Sequence, residues 1–328
     1  MNSCSGFKRL ALKGLVGLGW LAITGFAQAQ EWPNRPVKVI ITFTAGSSTD
    51  IVGRVVTQRL SEVWGQPVIV ENKPGAGGSI GSAMVAKSPA DGYTILINSN
   101  AHAVNPAIYA SLPYDTKKDF IDIVPLAIQP NVLVVAPDSK FNSVQDMVDF
   151  ARKNPGAINW GHAGVGSGTH LSTEKMITSS GIKVTQVPFK GTPEVVAAVM
   201  SKSVDAYWGP VSAVISNIRG GKLKALAVST PKRSGILPEV PTLEEAGVRN
   251  AASPLWFGMW VPAGTPNDLV QKISRDTLKV LGEPAIVKRL TDLGNDLMPM
   301  NTAEFSRYVD SEIADYDRVI RAAGIEKR

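Results

Sequence analysis

Small and hydroxyl-bearing residues follow a β-branched segment near the start of the chain. The segment 37–43 reads VKVIITF, and Thr44-Ala45-Gly46-Ser47-Ser48-Thr49-Asp50 comes directly after it. This change of pattern predicts a strand, a tight loop and a helix that begins near Asp50. A helix N-terminus attracts anions through its free N–H groups, and Gly46 lets the backbone approach a ligand. The loop is therefore predicted either to bind an anion or to be an ordinary strand–helix turn with an acidic cap.

A second loop of this kind lies in the middle of the chain. It reads Gly161-His162-Ala163-Gly164-Val165-Gly166-Ser167-Gly168-Thr169-His170, between a strand predicted at 158–161 and a helix predicted at 170–179. Because the two loops belong to different strand–helix units, they can face each other across a cleft. A dinucleotide site is disfavoured, since Thr169 stands where that fingerprint needs Gly or Ala. Ser167 and His170 are candidates for a nucleophile and base, but a backbone hydrogen bond at the helix start is favoured for His170.

Two further features are candidates for a pocket. Pro74-Gly75-Ala76-Gly77-Gly78 ends a predicted strand, and Gly77 and Gly78 are interpreted as turn residues with positive φ. Trp208 lies at the carboxyl end of a predicted strand, where open α/β sheets bind their ligands. Trp208 is therefore predicted to line the pocket, with packing in the core as the alternative.

The elements that must position these loops alternate between strand and helix along most of the chain. The first set has strands at 37–43, 68–70 and 93–97, with helices that begin near Thr49 and Gly78. The second set has strands at 132–136, 158–161, 184–187, 205–208 and 223–228, with helices at 143–153, 170–179 and 192–201. A strand at 256–261 and helices that begin near 266, 283 and 303 complete the chain. The alternation predicts an α/β protein with parallel sheets covered on both faces.

The first 29 residues are predicted to form a secretory signal peptide. Three cations, Lys8, Arg9 and Lys13, precede an apolar stretch of about a dozen residues, which is shorter than the ~20 that span a membrane. Ala27-Gln28-Ala29 is a small-x-small cleavage site, so the mature chain is predicted to begin at Gln30. An uncleaved membrane anchor is the alternative.

Composition excludes several classes of protein. Of 328 residues, 44% are hydrophobic and 19% are charged, which suits a sizeable core and not a disordered chain. The single cysteine, Cys4, lies in the leader, which excludes a disulfide scaffold and fits an oxidising compartment. Loss of the three leader cations lowers the net charge from +6 to +3, too little to indicate nucleic-acid binding. Three histidines without ligand-like spacing predict no metal site, and no cofactor is expected.

Taken in order along the chain, these motifs resemble those of the substrate-binding proteins of tripartite tricarboxylate transporters, the Bug receptor family. The resemblance covers nearly all of 32–325. The motifs that carry it include Trp32-Pro33-Asn34-Arg35-Pro36-Val37, the loop at 45–50, Val70-Glu71-Asn72-Lys73-Pro74-Gly75-Ala76-Gly77-Gly78, Asp91-Gly92-Tyr93-Thr94, Leu112-Pro113-Tyr114-Asp115, Gly166-Ser167, Thr169-His170-Leu171, Val187-Pro188-Phe189-Lys190-Gly191 and Pro238-Glu239-Val240-Pro241-Thr242. Each motif alone is weak, but so many in the same order are highly specific.

The resemblance implies the type II-like periplasmic binding protein fold, with two α/β lobes and the ligand cleft between them. Lobe 1 would comprise 30–126 and 229–328 and lobe 2 would comprise 127–228, with crossings near 126–131 and near Ser229. It also implies a non-enzymatic, monomeric periplasmic receptor that captures a small di-, tri- or aromatic carboxylate and delivers it to integral membrane transporter subunits. The alternatives are a secreted hydrolase acting at Ser167 and His170, and a sensor subunit that presents the ligand to a signalling partner.

The resemblance also assigns ligand-binding residues. One carboxylate would be held by Ala45, Gly46, Ser47 and Asp50 from one lobe and by Gly164, Val165, Gly166, Ser167, Thr169 and His170 from the other. Phe189 and Trp208 are predicted to form flat apolar walls at the far end of the pocket. Gly209-Pro210 stands where the family commonly has an Asp-Asn pair. The sequence therefore predicts no acid for a ligand's ammonium group at this position, and weak binding of amino acids. The alternative is that Asp50 or Asp205 supplies the acid.

Overall fold

The computed structural model describes residues 32–322 and residue 327, and the predicted signal peptide lies outside them. The strands are, in chain order, β1 (Val37–Ile41), β2 (Val68–Asn72), β3 (Thr94–Ser99), β4 (Phe120–Gln129), β5 (Asn131–Val135), β6 (Asn159–His162), β7 (Thr185–Pro188), β8 (Ala206–Pro210), β9 (Lys224–Val228) and β10 (Leu255–Pro262). The helices are α1 (Ser48–Trp64), α2 (Ser79–Ala86), α3 (Ala101–Ile108), α4 (Val144–Lys153), α5 (Gly168–Ser180), α6 (Thr192–Met200), α7 (Val211–Arg219), α8 (Asn267–Leu281), α9 (Pro284–Asp292) and α10 (Thr302–Ala322), with a 3₁₀ turn at Ala76–Gly78 before α2. Within the described residues, no helix combines the length and the apolar character that crossing a membrane requires.

The strands form two five-stranded sheets, one in each lobe. The first sheet has the order β2-β1-β3-β10-β4, and the second has the order β7-β6-β8-β5-β9. β1 pairs in parallel with β2 and β3, as the alternation of strands and helices predicts. β10 is antiparallel to β3 and β4, and β5 is antiparallel to β8 and β9. The predicted α/β class and two-lobed fold are confirmed, but each sheet is mixed and not wholly parallel.

The helix α1 follows β1 through the first candidate loop and packs on the first sheet. The side chains of Val52, Val56 and Leu60 share one helical face and lie in the buried core of that sheet. Ser47 caps the start of α1, and Gly65, with φ of 62°, ends it. The N-terminus of α1 is therefore held at the carboxyl edge of β1, which faces the second lobe.

The two lobes are joined where the chain passes between the sheets. β4 of the first sheet ends at Gln129 and β5 of the second begins at Asn131, and we therefore place the first crossing between these strands. Ser229 N–H donates to Asn131 O (2.8 Å), and Ser253 N–H donates to Ser229 O (2.8 Å). These bonds hold the outgoing and returning segments side by side at the junction of the lobes.

The segment after β9 packs against the second sheet. Leu243, Val248 and Ala251 belong to the same buried cluster as Trp208 of β8. Their packing favours a second lobe that continues past the predicted boundary at Ser229 and ends at 252–254, just before β10. The division of the chain into lobes at these positions is a proposal that rests on this packing.

His102, in α3, is buried without a polar partner. Its ring centroid lies 4.9 Å from that of Phe120 and 4.3 Å from that of Trp260. Neither ring nitrogen forms a hydrogen bond with another described residue. Burial therefore lowers the pKa of His102 from 6.5 to about 3.

The buried imidazole predicts a loss of stability in mild acid. Below a pH of about 6.5 the unfolded chain protonates His102 and the folded chain does not, so the free energy of unfolding falls. The slope from this one group reaches about 1.4 kcal/mol per pH unit. His102→Leu removes the group, so urea unfolding between about pH 6.5 and 5 should depend less steeply on pH in the variant. Equal slopes for the two proteins would contradict the prediction.

Candidate functional site

Asp50 holds the first candidate loop from inside the lobe. Ser47 Oγ accepts a hydrogen bond from Asp50 N–H (3.3 Å) and so caps α1. The Asp50 carboxylate accepts from Gly46 N–H (2.9 Å) and from Arg54 Nε (2.8 Å). It also accepts from Asn72 Nδ2 (2.8 Å), and only 3% of Asp50 is exposed. These bonds use the Asp50 carboxylate to hold the shape of the loop, and a contact between Asp50 and the ligand stays a prediction of the resemblance.

The second candidate loop is closed by a network of hydroxyl and imidazole groups. Ser167 Oγ caps α5 by accepting from His170 N–H (3.2 Å), and it lies 3.0 Å from Thr169 Oγ1. Thr169 Oγ1 accepts from Ala163 N–H (2.9 Å). His170 Nδ1 accepts from Gly166 N–H (3.4 Å). The loop is therefore preorganised, with Ser167, Thr169 and His170 all buried.

The same network separates Ser167 from the imidazole that a hydrolase would need. Ser167 Oγ is bonded to the backbone N–H of His170 and not to a ring nitrogen. His170 Nε2 instead lies 3.4 Å from Glu174 Oε1. Burial alone would raise the pKa of Glu174, but hydrogen bonds from His170 and Gln186 lower it below its usual value. The imidazole is oriented by Glu174 and Gly166, and among the described residues no hydrogen bond joins it to the Ser167 hydroxyl, so the geometry does not favour the hydrolase alternative.

The two loops meet at a small cavity between the lobes. The cavity measures about 20 Å³ and is lined by the first residues of several helices. They are Ser47, Ser48 and Thr49 at α1, Ser167, Gly168 and Thr169 at α5, Thr192 at α6 and Pro210 before α7, with Phe43, Ser99, Ala163 and Leu255 completing the wall. Because each helix contributes free N–H groups and partial positive charge, these N-termini together favour an anionic group.

A larger cavity of about 530 Å³ adjoins the small one, and the two share Phe43 and Ala163. Its wall is formed largely by apolar side chains and backbone. The lining residues are Phe43, Gly75, Ala76, Gly77, Tyr109, Ala163, Gly164, Val165, Pro188, Phe189, Lys190 and Glu194. Among the residues predicted from the sequence, Gly164, Val165 and Phe189 line this cavity. Ala45, Gly46, Gly166 and His170 line neither cavity, and Ala45 and Gly46 are exposed to solvent.

The lobes touch across the cleft at glycines. An ideal Cβ on Gly77 would lie 3.1 Å from Gly166 Cα and closer still to Val165 O. Asn105 Nδ2 donates to Gly77 O (3.2 Å), and Asn105 Oδ1 would lie 2.5 Å from a Cβ on Gly166. Tyr109 Oη–H donates to Val165 O (2.9 Å) across the same contact. The cleft is therefore narrow enough at this point that only residues without a side chain fit.

This arrangement can be compared with known proteins. A family model described as "Tripartite tricarboxylate transporter family receptor" matches residues 52–325. The chain belongs to this family. The resemblance found in the sequence motifs is confirmed.

Several relatives of the receptor match it over nearly their whole length. The protein BugT of Bordetella pertussis is 31% identical over 318 residues, which cover 95% of this chain and 97% of BugT. The structure "R. palustris Rpa4515 with adipate" superposes with a TM-score of 0.88 at 33% identity, covering 91% of this chain and 100% of that one. MatC (Rpa3494) from Rhodopseudomonas palustris with bound malate has a TM-score of 0.84 at 29% identity, covering 88% and 100%.

Trp208 of the receptor lies in the core and not in the pocket wall predicted from the sequence. Its side chain is fully buried, with its ring centroid 6.5 Å from that of Trp160, in the cluster between the second sheet and α4 and α5. Tyr207, the preceding residue, packs in the cluster on the other face. Since successive side chains of a strand point to opposite faces, and both faces of this sheet are covered, neither ring reaches the cavities.

The turn before α2 contributes more to the receptor's cavity than the sequence predicts. Gly77 and Gly78 have φ of 58° and 89°, which confirms their interpretation as turn residues with positive φ. Gly75, Ala76 and Gly77 also line the larger cavity. Ala76 has φ of 46°, a conformation rare for a residue with a side chain. The run of small residues after a strand is visible in the sequence, but the sequence does not show that this run contacts the other lobe.

The receptor's cavity contains an acid that the sequence did not predict. Gly209 and Pro210 end β8 and bring no charge to the site. Glu194, in the first turn of α6, lines the larger cavity instead. The larger cavity therefore contains a carboxylate that comes from a position other than 209–210. Sequence reasoning missed Glu194 because it lies far along the chain from both loops, and because acids are common in the first turn of any helix.

Proposed function

We propose that the protein is a periplasmic solute-binding receptor that captures a small organic carboxylate between its lobes and delivers it to a tripartite tricarboxylate-type membrane transporter. The observation that carries the proposal is the meeting of the α1 and α5 N-termini, one from each lobe, at the small cavity. Such termini stabilise an anion by hydrogen bonding and by their dipoles. The adipate and malate in two similar structures support a carboxylate as that anion.

The two cavities suit different parts of the ligand: a carboxylate head and the longer body that carries it. A space of about 20 Å³ accommodates about one water-sized group. We therefore place the carboxylate head where the cavities meet, beside Phe43 and Ala163, within reach of Ser47 and Ser167. The body of the ligand would extend along Phe189 in the larger cavity, which suits an aliphatic or aromatic chain.

Ser167→Ala is expected to weaken carboxylate binding about ten- to a hundredfold. The variant loses one hydroxyl donor to a charged group, which is worth roughly 1.5–3 kcal/mol. It also loses the cap of α5, which costs about 1 kcal/mol of stability. Ser143→Ala is the matched control, because Ser143 caps α4 outside both cavities and its loss affects stability alone.

Binding is measured by isothermal titration with adipate, malate, citrate and benzoate, after a thermal-shift survey of the same compounds. The proposal expects at least one of them to bind, Ser167→Ala to weaken it, and Ser143→Ala to leave it unchanged. Binding of that carboxylate by Ser167→Ala as tightly as by the unsubstituted protein would contradict the placement of the head. Delivery is tested separately, by uptake of the bound carboxylate into cells with and without this chain.

A further inference from the structure

Two charged side chains line the larger cavity. Within the described residues, its other lining groups carry no formal charge, so Lys190 and Glu194 alone give it an electrostatic pattern. Neither side chain forms a hydrogen bond or ion pair with another described residue, and they do not pair with each other. Both are exposed to solvent in the cleft. Their charges are therefore available to a ligand.

The backbone that carries these charges is fixed to the second lobe. Phe189 N–H donates to His162 O (2.9 Å), which ties the residue before Lys190 to the end of β6. Thr192 Oγ1 lies 3.0 Å from the hydroxyl of Tyr207, a fully buried residue, and this contact anchors the start of α6. Lys190 and Glu194 thus extend from a rigid support, and their side chains alone adjust to a ligand.

Glu194 also has an ordinary structural role at the start of α6. An acid in the first turn of a helix stabilises that helix by interacting with its dipole. This role accounts for an acid at α6 but does not involve Lys190, the other charged group that lines the same cavity. A ligand with complementary groups accounts for both charges at once.

We propose that Lys190 and Glu194 contact the part of the ligand that lies in the larger cavity: Lys190 binds a second carboxylate, and Glu194 accepts a hydrogen bond from a hydroxyl or ammonium group of the ligand. The inference rests on the proposed function, in which the first carboxylate occupies the junction of the cavities. The preferred ligands would be dicarboxylates that carry a hydroxyl or amino substituent. This assignment replaces the preference for deaminated ligands that Gly209-Pro210 predicted.

The chemistry of the two residues gives each a separate signature. A lysine ammonium attracts a carboxylate but offers nothing to a methyl group, so Lys190 should distinguish dicarboxylates from monocarboxylates. A glutamate carboxylate accepts hydrogen bonds and repels a nearby anion, so Glu194 should favour a substituted over an unsubstituted dicarboxylate. Glutamine still accepts a bond from a hydroxyl but cannot neutralise an ammonium group.

The test is isothermal titration with two matched ligand series. Each series has an unsubstituted, a hydroxy and an amino dicarboxylate of the same chain length. The four-carbon series is succinate, malate and aspartate, and the five-carbon series is glutarate, 2-hydroxyglutarate and glutamate. Butanoate is the monocarboxylate for comparison. Lys190→Met should weaken the dicarboxylates about tenfold and leave butanoate unchanged. Glu194→Gln should lower the preference for the amino compounds about tenfold, and Glu194→Ala should also remove the preference for the hydroxy compounds. Lys183→Met and Glu239→Gln, exposed residues outside both cavities, should change nothing.

The outcomes separate this inference from the proposed function. If no carboxylate binds the unsubstituted protein, capture of a carboxylate is wrong, and the inference is wrong with it. If the substituted and unsubstituted dicarboxylates bind equally well, or if the Glu194 variants keep the preference, capture stands and the role of Glu194 is overturned. Equal loss of butanoate and dicarboxylate binding in Lys190→Met would likewise overturn the role of Lys190.

Discussion

Gly77→Ala is expected to weaken carboxylate binding about a hundredfold while each lobe still folds. A Cβ at this position would lie 3.1 Å from Gly166 Cα and closer still to the carbonyl oxygen of Val165. Both of these neighbours are backbone atoms of the second lobe, so no side-chain rotation relieves the contact. The lobes would have to move apart, and the head of the ligand would lose donors from one side.

Gly65→Ala is the matched control for this prediction. Gly65 has φ of 62° and Gly77 has φ of 58°, so alanine meets a similar backbone penalty of about 1–2 kcal/mol at either position. A Cβ on Gly65 would meet nothing within 4 Å. The two variants therefore share the conformational cost and differ only in the contact between lobes.

Two measurements decide the matter. Titration with adipate or malate should show weak binding for Gly77→Ala and normal binding for Gly65→Ala. Small-angle X-ray scattering should show that saturating ligand compacts the control and leaves Gly77→Ala extended. If Gly77→Ala binds normally and compacts on ligand addition, the glycine contact is not what allows the lobes to close.

Local patterns predict most of the fold because many strands and helices carry their own start and stop signals. The helix predicted at 143–153 has such a start signal, since Ser143 caps α4 and forms a capping box with Asp146. β4 was missed, since Pro125 and Asp122 interrupt its apolar run. The antiparallel insertion of β10 between β3 and β4 was also missed, because strand direction is decided by packing between distant segments and no local pattern records it.

The candidate site was also predicted only in part from the sequence. The two loops could be predicted because a change from β-branched residues to glycines and hydroxyls marks a strand–helix junction, and the structure brings Ser47 and Ser167 to one cavity. The roles of Asp50 and Trp208 could not, since each depends on what surrounds the side chain. Asp50 turns inward to Arg54, and Trp208 packs beneath its sheet. Residues that approach from other elements, such as Glu194, have no signal near either loop.

The second large effect is expected at Gly191, where a compensating change is available. Gly191 has φ of −174°, an extended conformation that any residue adopts, so alanine meets no backbone penalty there. A Cβ would nevertheless lie 3.1 Å from Thr44 Cβ and closer still to Thr44 Oγ1, across the cleft. Gly191→Ala should therefore weaken binding of adipate or malate by up to about a hundredfold.

Thr44→Ala should restore most of that binding when combined with Gly191→Ala. Thr44 Oγ1 is buried and has no hydrogen-bond partner among the described residues, so its removal alone should change affinity little. The double variant makes room for the new methyl group, and the coupling between the two sites should reach roughly 0.5–3 kcal/mol. If the two substitutions have additive effects, Gly191→Ala weakens binding by changing the start of α6 and not by contacting Thr44. Rescue of binding by Thr44→Ala would show that Thr44 and Gly191 are in contact when the ligand is bound. If they were in contact only in another arrangement of the lobes, removing the Thr44 side chain would not restore binding.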